Sequence, residues 1–286
     1  MQELAQQSIN GLVNGGIYAL ISLGLTLIFG ILGIGNFAHG EIYMLGAYTA
    51  FVLTAKAKLS FLSALVPTIF IVALIGVLIE RLVFRPLRFT PSVNIILCSL
   101  GLSFFLENLV LRIFSADPRQ LFSPYAHVVL SFFGVTVTLQ RLLILIIAAI
   151  LVVALFLFLT RTWSGIAMRA TAQDLTTAKL MGINIDQVAW ITFAIGSALA
   201  GASGMLVGSV FLLQPTMGLS YVLKAFVVVI LGGVGNVVGA IFGGILLGVV
   251  ESITVGYIGS VFRDMVAFVV LIVALLFRPY GLFYRR

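Results

Sequence analysis

Long apolar runs, separated by short polar stretches, make up most of the chain. The runs are continuous rather than alternating, and they reach the ~20 residues that a helix needs to cross a bilayer. Because a backbone in lipid must satisfy its own hydrogen bonds, such runs favour helices. The pattern predicts an all-α, polytopic transmembrane bundle of about eight or nine spans. We place the spans at 9–29, 37–55, 61–84, 92–114, 141–160, 188–212, 222–236, 237–256 and 262–278.

Two polar stretches between the runs are long enough to have structure of their own. Residues 115–140 contain turn-forming Asp-Pro and Ser-Pro pairs, and 135–140 then alternates apolar and polar residues. This alternation predicts a small β-hairpin; the alternative is a loop that merely shields helix ends. Residues 161–187 form the other long loop. We expect a single transmembrane domain over 1–286, with these two loops on opposite sides.

Basic residues orient the predicted bundle. They cluster in two loops and at the C-terminal end: Arg81, Arg85 and Arg88; Arg161, Arg169 and Lys179; Arg278, Arg285 and Arg286. The positive-inside rule places all three groups in the cytoplasm and therefore places 115–140 outside. Nine spans would put the N-terminus outside, whereas eight or ten spans would put it in the cytoplasm. Charge does not decide between these counts, because Glu3 is the sole charged residue at that end.

Composition supports a membrane protein and excludes several functions. Of 286 residues, 62% are hydrophobic and 9% are charged, whereas about 25% are charged in soluble domains. The net charge of +7 comes from basic residues scattered singly between apolar runs, so it predicts topology rather than nucleic-acid binding. Two histidines and one cysteine offer no metal, cofactor or catalytic set, so no enzyme is predicted.

One polar stretch stands out inside the apolar sequence: "GIGNFAHGEIYMLGAY", which begins at Gly33. A break between Gly33 and Gly35 would let a helix begin near Asn36, whose side chain is a favoured N-cap. The positive end of that helix would point at whatever occupies the gap. Ionisable groups within a span are costly and usually face a cavity. We predict that this stretch lines a solute path with Asn36, His39 and Glu41, although His39 alone is expected to make a structural hydrogen bond.

The first four residues of that stretch recur two hundred residues later as Gly233-Val234-Gly235-Asn236. Transporters are often built from repeated halves, with discontinuous helices near the midplane. We therefore predict an internal repeat and assign Gly233, Gly235 and Asn236 to the same path; the alternative is a chance match in a glycine-rich chain. A dinucleotide-binding fingerprint is excluded, because no βαβ unit surrounds either copy.

Other glycines recur at four-residue spacing, which lets membrane helices approach closely. The stripes are Gly11 and Gly15; Gly204 and Gly208; Gly235, Gly239 and Gly243; and Gly244 and Gly248. They predict dense helix packing rather than a site.

The cytoplasmic stretch "GIAMRATAQDLTTAKLMGINIDQ" is too polar to insert into a membrane. Its pattern predicts one short helix around 167–181, terminated by Gly182. Exposed to the cytosol, such a helix suits docking of a partner; the alternative is an amphipathic helix that rests on the membrane.

The chain from about residue 8 to 279 resembles the branched-chain amino acid permease subunits of bacterial ABC transporters. "NFAHGE" followed by "GAY" is the specific part, and "GIAMRA", "AKLMGI" and "LGGVGNVVGAIFGG" are similar to later landmarks of the family. The compact loops resemble the first-type, H-like permease. The resemblance implies an inner-membrane importer built from this permease, a second related permease, two cytoplasmic ATPase subunits and an external binding protein.

The resemblance also implies a coupling role for the cytoplasmic stretch, and we assign Gly165, Arg169, Asp174, Ala178 and Gly182 to it. The general coupling motif of ABC permeases is matched at Ala178 and Gly182, but threonines replace its Glu and first Ala. The chain lacks a Gly-x-x-x-x-Gly-Lys-Ser/Thr loop, so ATP hydrolysis is expected in the partner subunits. A leucine-like zwitterion is the expected small-molecule solute.

Two alternatives remain open from the sequence. A permease of the same family could carry urea or short amides. An ion-coupled secondary carrier would use Glu41, Glu107 and Glu251 as coupling carboxylates.

Overall fold

The computed structural model describes residues 2–132, 135–278 and 281–283. Within these ranges the protein is a bundle of α-helices with one two-stranded hairpin, and seven helices are long and apolar enough to cross a membrane. A shorter apolar helix, Met217–Gly232, joins them. The predicted all-α polytopic bundle is confirmed. Arg285 and Arg286, which we used to orient the chain, lie outside the described residues.

The helices follow the predicted apolar runs. In chain order they are α1 (Gln2–Leu32), α2 (His39–Ala55), α3 (Phe61–Ile79), α4 (Arg85–Leu87), α5 (Ser92–Phe114), α6 (Leu139–Arg161), α7 (Trp163–Gln173), α8 (Leu175–Leu180), α9 (Ile185–Gly208), α10 (Met217–Gly232), α11 (Val237–Tyr257) and α12 (Arg263–Phe277). A π-helical turn, Glu80–Phe84, joins α3 to α4, so Phe61–Leu87 is one continuous span. Short 3-10 turns occupy Pro124–His127 and Ser260–Phe262.

The predicted hairpin is confirmed within the loop 115–140. Strand β1 (Val129–Phe132) pairs antiparallel with β2 (Val135–Thr138), and Leu130 faces Val137 in the register. The side chain of Gln6 both donates to the Thr136 carbonyl (2.8 Å) and accepts from the Thr136 amide (2.9 Å). The first turns of α1 therefore lie at the hairpin end of the bundle, which we call the outer end.

The basic loops lie together at the opposite end, which we call the inner end. Arg85 and Arg88 both bind the carboxylate of Asp186, at 2.8 Å and 2.7 Å, so the loop after α4 meets the start of α9. Helix α6 links the hairpin to α7 and spans about 34 Å over its 23 residues. The outer hairpin and the inner basic loops are therefore separated by the length of a membrane span.

Glycine contacts hold the centre of the bundle together. Helix α1 packs most extensively against α11, and a Cβ at Gly15 would come 2.7 Å from the Cα of Ile245. Gly248 in turn lies against the backbone of Gly15, and Gly204 of α9 lies against the Tyr43 carbonyl of α2. Most of the predicted stripe glycines are thus places where backbones touch, because no side chain separates the helices; Gly208 instead lies against the Leu213 side chain.

Helices α2 and α10 begin inside the bundle rather than at its ends. Residues 33–38 and 211–216 are non-helical and lead into the two helices. The ring of His39, the first residue of α2, reaches the carbonyl of Ile21 at 3.1 Å. Ile21 lies eleven residues before the end of α1, about 16 Å from the inner end. The break predicted at Gly33–Gly35 is therefore confirmed, whereas the start of α10 inside the bundle was not predicted.

Candidate functional site

The starts of α2 and α10 meet in the interior of the bundle. A Cβ at Gly40 would overlap the carbonyl oxygen of Gly218, so the two backbones are in direct contact. We call this contact, formed by Gly40, Glu41, Gly218 and Val222, the α2/α10 junction. Two helices that begin at one place bring together amides without intrahelical partners and the positive ends of two helix dipoles.

Glu41 lies at the centre of this junction. Its side chain is 1% exposed, and its carboxylate fits against the Cα of Gly218, where a Cβ would collide with both oxygens. Ser103 of α5 donates a hydrogen bond to Oε1 at 3.2 Å. Among the described residues, Oε2 has no hydrogen-bond partner. Two helix N-termini offset part of the cost of burying this carboxylate, and one oxygen is left for a further donor.

Aromatic rings flank the junction on the α2 and α10 sides. The rings of Phe37 and Phe226 lie 4.7 Å apart between centroids, and those of Tyr43 and Tyr221 lie 4.6 Å apart. The junction therefore combines one carboxylate with apolar walls. This is the chemistry that a small solute with a charged end and an apolar side chain requires.

Asn36 does not cap α2, so that prediction is wrong. The N-cap is Ala38, which makes no side-chain cap. The amide of His39, a donor that an Asn36 cap would use, bonds to the backbone carbonyl of Asn36 at 3.3 Å instead. The Asn36 side chain is fully buried, and neither its nitrogen nor its oxygen has a partner among the described residues. His39 is also fully buried, and it has the bond to Ile21 described above.

The second copy of the motif lies elsewhere. Gly235 lies against Gly30 near the inner end of α1, and Gly233 has a positive φ of 89° at the end of α10. Asn236 caps α11, because its Oδ1 accepts from the Gly239 amide at 3.0 Å. The structure therefore does not bring these residues to the α2/α10 junction. The two copies share a helix-ending role, since Gly33 also has a positive φ of 68° after α1.

A polar stripe on α5 escaped our sequence reasoning. Ser99, Ser103 and Glu107 recur every four residues and so share one face. Ser99 accepts a hydrogen bond from the Phe37 amide at 3.2 Å, and Ser103 binds Glu41. The four-residue spacing was the available signal, but serines are too common in apolar helices for that spacing to single them out.

The sequence reasoning also missed a buried cluster of charged side chains in the outer part of the bundle. We call it the charge cluster; it consists of Tyr18, Lys224, Glu251, Arg263 and Asp264. Lys224 of α10, 7% exposed, lies 3.2 Å from the Glu251 carboxylate and 2.8 Å from the Asp264 carboxylate. Tyr18 donates to Glu251 at 2.8 Å, and Arg263 pairs with Glu251 at 3.2 Å. A lysine inside the predicted span 222–236 was the signal that we overlooked.

The charges of this cluster balance, and they belong to separate helices. Two cations face two carboxylates, and the residues come from α1, α10, α11 and the first turn of α12. Removing one member of a buried pair costs about 3–5 kcal/mol, because the remaining charge loses its partner. The cluster therefore restricts how these four helices can move relative to one another.

At the inner end, the predicted single cytoplasmic helix is two helices, α7 and α8. Asp174 interrupts them with an extended backbone, and its carboxylate caps α8 by accepting from the Thr176 amide at 2.8 Å and the Thr177 amide at 3.1 Å. The Thr177 hydroxyl donates to it as well, at 2.7 Å. These hydrogen bonds hold the pKa of Asp174 below its usual value. The bond from the Thr177 hydroxyl has the largest effect, and those from the two amides follow.

The five predicted coupling residues divide into two sets. Arg169, Asp174 and Gly182 are exposed, and Gly182 ends the pair of helices with a φ of 86°. Gly165 and Ala178 are buried within the chain, so they support the helices from inside rather than presenting a contact surface. The exposed apolar side chains near them were not predicted as a set: Trp163 is 87%, Leu180 83% and Met181 79% exposed.

Comparison with known sequences gives matches over nearly the whole chain. A family profile described as branched-chain amino acid transport system / permease component matches residues 7–275. The chain is 37% identical to the high-affinity branched-chain amino acid transport system permease protein BraD of Pseudomonas aeruginosa, over 97% of this chain and 94% of that protein. Identity is 38% to LivH of Salmonella typhimurium and 35% to LivH of Escherichia coli K12, with the same coverage.

A solved structure has a related fold. "PsaBC from Streptococcus pneumoniae in complex with Fab" aligns over 96% of this chain and 91% of that chain, with a TM-score of 0.51 and 12% sequence identity. At this identity the likeness concerns the arrangement of helices alone.

Proposed function

Because this chain belongs to the family of branched-chain amino acid transport permease components, we propose that it is the membrane-spanning permease of a bacterial ABC importer for leucine, isoleucine and valine. The relatives that it matches end to end are named for high-affinity transport of these amino acids. The chain is a multi-pass protein of the inner membrane, and it carries a solute rather than catalysing a reaction. The interpretation as a permease for urea or short amides is not favoured.

The importer would be completed by a second permease, two cytoplasmic ATPase subunits and an external binding protein. The sequence supports this division because it has no phosphate-binding loop for ATP. The inner end supports it too, since Trp163, Leu180 and Met181 expose apolar surface next to basic residues. Exposed apolar patches of this kind mark protein interaction sites. The ATPase subunits would cover α7 and α8.

The solute path would pass the α2/α10 junction, which is the observation that carries the mechanism. The two helices begin inside the bundle with Glu41 between them. A branched-chain amino acid is a zwitterion with an apolar side chain. Its carboxylate suits helix N-termini, its ammonium group suits the free oxygen of Glu41, and the flanking aromatic rings suit its side chain.

The contacts of α9 support a route by which ATP hydrolysis would reach this junction. Helix α8 is tied to the short turn that leads into α9 by a hydrogen bond from the Ile183 amide to the Ala178 carbonyl at 3.0 Å. Helix α9 packs along α2, with Gly204 against Tyr43 and Gly201 against Gly46. A displacement of α7 and α8 by the ATPases would therefore move α9 and, through it, α2. This would switch the junction between closed and open states.

The function is tested with proteoliposomes that contain the complete importer. Leucine uptake should require ATP, the ATPase subunits and the binding protein, and it should not change when sodium and proton gradients are collapsed. Uptake driven by an ion gradient, with this chain alone in the vesicles, would instead support a secondary carrier that uses Glu41, Glu107 and Glu251.

The role of the junction is tested with Gly218→Ala in the same vesicles. The new methyl group would overlap the Glu41 carboxylate, and overpacking of ~1–3 kcal/mol should shift a two-state gate by about 5-fold to 150-fold. Leucine uptake should fall accordingly at an unchanged amount of assembled complex. Gly101→Ala on α5 is the matched control, because a Cβ there meets nothing within 4 Å. Wild-type uptake by Gly218→Ala would remove the junction from the path.

A further inference from the structure

We propose that Lys224 is a positioning residue that anchors α10 through the charge cluster and thereby seats Gly218 against Gly40 and Glu41. The inference rests on the proposed function, in which the α2/α10 junction is the gate of the path. Lys224 touches no residue of that junction in the contacts described above. Its effect would pass along the helix that carries both residues.

The bonds of Lys224 fix α10 from three directions. Its Nζ lies 3.4 Å from the Tyr18 hydroxyl on α1, 3.2 Å from the Glu251 carboxylate on α11 and 2.8 Å from the Asp264 carboxylate on α12. The ammonium group also lies over the Tyr18 ring, 5.5 Å from its centroid. An ammonium group held by three helices fixes both the depth and the rotation of the helix that carries it.

The anchor and the junction are close along α10. Lys224 follows Gly218 by six residues, which is about 9 Å of helix. Tyr221 lies midway between them, and its ring contacts the Tyr43 ring at 4.6 Å and the Tyr18 ring at 6.2 Å. A rigid helix and a continuous row of aromatic contacts therefore connect the charge cluster to α2.

The start of α10 is held by backbone contacts rather than by a helix cap: Leu213, four residues before it, pairs with Arg119, and Gly218 lies against Gly40. Its N-cap, Thr216, makes no side-chain capping bond, and the segment that precedes it, 211–216, is non-helical. The position of Gly218 therefore depends on these backbone contacts and on the contacts made further along the helix. Lys224 provides the charged one.

The cluster can also be opened, because it reaches the surface. The Asp264 side chain is 64% exposed, whereas Glu251 is buried at 1%. Water can therefore replace the outer bond while Lys224 stays paired with the inner carboxylate. This arrangement lets α10 shift during transport without leaving a lysine unpaired in the bundle.

The proposal is tested in the complete importer with Lys224→Met and with the double variant Lys224→Met/Glu251→Gln. Without its anchor, α10 should close the junction poorly. ATP hydrolysis without leucine should therefore rise, and leucine moved per ATP should fall by about tenfold. In Lys224→Met two carboxylates face Arg263 alone, and the double variant removes the excess negative charge, so it should recover thermal stability but remain uncoupled. A purely structural role predicts that both properties recover together. Lys56→Met, at an exposed lysine just after α2, is the control.

Wild-type coupling in the double variant would overturn the proposal, as would recovery of coupling together with stability. If Lys224→Met does not assemble, the double variant alone decides. Failure of this inference is distinguishable from failure of the proposed function. Normal leucine uptake by Gly218→Ala would contradict the role of the junction in the solute path. Loss of uptake in Gly218→Ala, together with wild-type coupling in the double variant, would contradict only the role of Lys224 as an anchor.

Discussion

Asn236 holds the first turn of α11, where its Oδ1 accepts from the Gly239 amide and its Nδ2 donates to the Phe283 carbonyl at 2.8 Å. Asn36 occupies the same position in the first copy of the motif, but its side chain is buried without a partner among the described residues. A buried amide with unused donors and acceptors costs stability. In the proposed solute path, a passing solute would supply the missing partner.

At the scale of residues, we predict opposite effects for the same change at these two asparagines. Asn36→Leu removes polar atoms that have no partners among the described residues, so the melting temperature of the purified complex should stay constant or rise while leucine uptake falls. Asn236→Leu removes a helix cap and should lower the stability by about 1 kcal/mol. Both are measured by thermal unfolding and by uptake per assembled complex.

The two variants serve as controls for each other, because they make the same change in the same motif. A loss of stability in Asn36→Leu without a specific loss of uptake would show that Asn36 has a structural role and would remove it from the path.

At the scale of elements, the starts of helices determine how parts of the bundle are placed. Helices α2 and α10 begin where their backbones touch, at Gly40 and Gly218, rather than at a membrane surface. At the inner end, Asp174 divides one polar stretch into α7 and α8. The exposed face of this pair is fixed by where α8 starts, because that point sets the direction of Leu180 and Met181.

We predict that the Asp174 cap is needed for coupling. Asp174→Ala should fray α8 and lower leucine moved per ATP, whereas Asp174→Asn should retain the cap, because both residue types are good N-caps. The comparison is made on complexes reconstituted at equal density. Full coupling in Asp174→Ala would show that the start of α8 does not matter for the ATPases.

The pH dependence of this cap follows from the lowered pKa of Asp174. A depressed carboxyl pKa stabilises the folded cap at pH values above the unfolded pKa. The contribution is lost as the pH falls through the lower, folded value. Coupling through this cap should therefore stay constant around neutral pH and weaken only in acid, and Asp174→Asn should remove the acid loss.

At the scale of the whole molecule, α1 is the central element, with α6, α9, α10 and α11 around it. Its first turns lie beside the hairpin, and its last turn lies near Gly235. Helix α12 is more peripheral: it buries Ala267 and Ala274 and is attached at its first turn by Arg263 and Asp264. Helix α10 contacts α2 at the junction, and it contacts α1, α11 and α12 at the charge cluster.

We predict that the start of α1 faces the outside of the membrane. Cysteines are introduced singly into a Cys98→Ala background, and a membrane-impermeant maleimide is added to intact cells. Glu3→Cys and Ser131→Cys, at exposed positions of the outer end, should react at once, whereas Gln173→Cys, at the exposed end of α7, should react after permeabilisation. Reaction of Glu3→Cys from the inside alone would contradict the arrangement of α1 beside the hairpin.

The apolar pattern alone predicted the positions of most helices, because each run is longer than any irregular segment that lipid tolerates. Glycine spacing predicted where helices touch, since a missing side chain is visible in sequence. The capping role of Asn36 failed because the start of α2 is set by its contact with Gly218 of α10, a residue far away in the chain. Lys224 was missed because its three partners lie on other helices.

The sequence by itself therefore determined the class of protein, its spans, its packing stripes and the family that it resembles. These properties depend on composition and on spacing within single segments, which local physics fixes. The tertiary structure alone decided which polar residues meet, since burial and pairing are properties of neighbouring helices. It placed Glu41 between two helix ends, separated the two copies of the motif and brought Lys224 to Glu251.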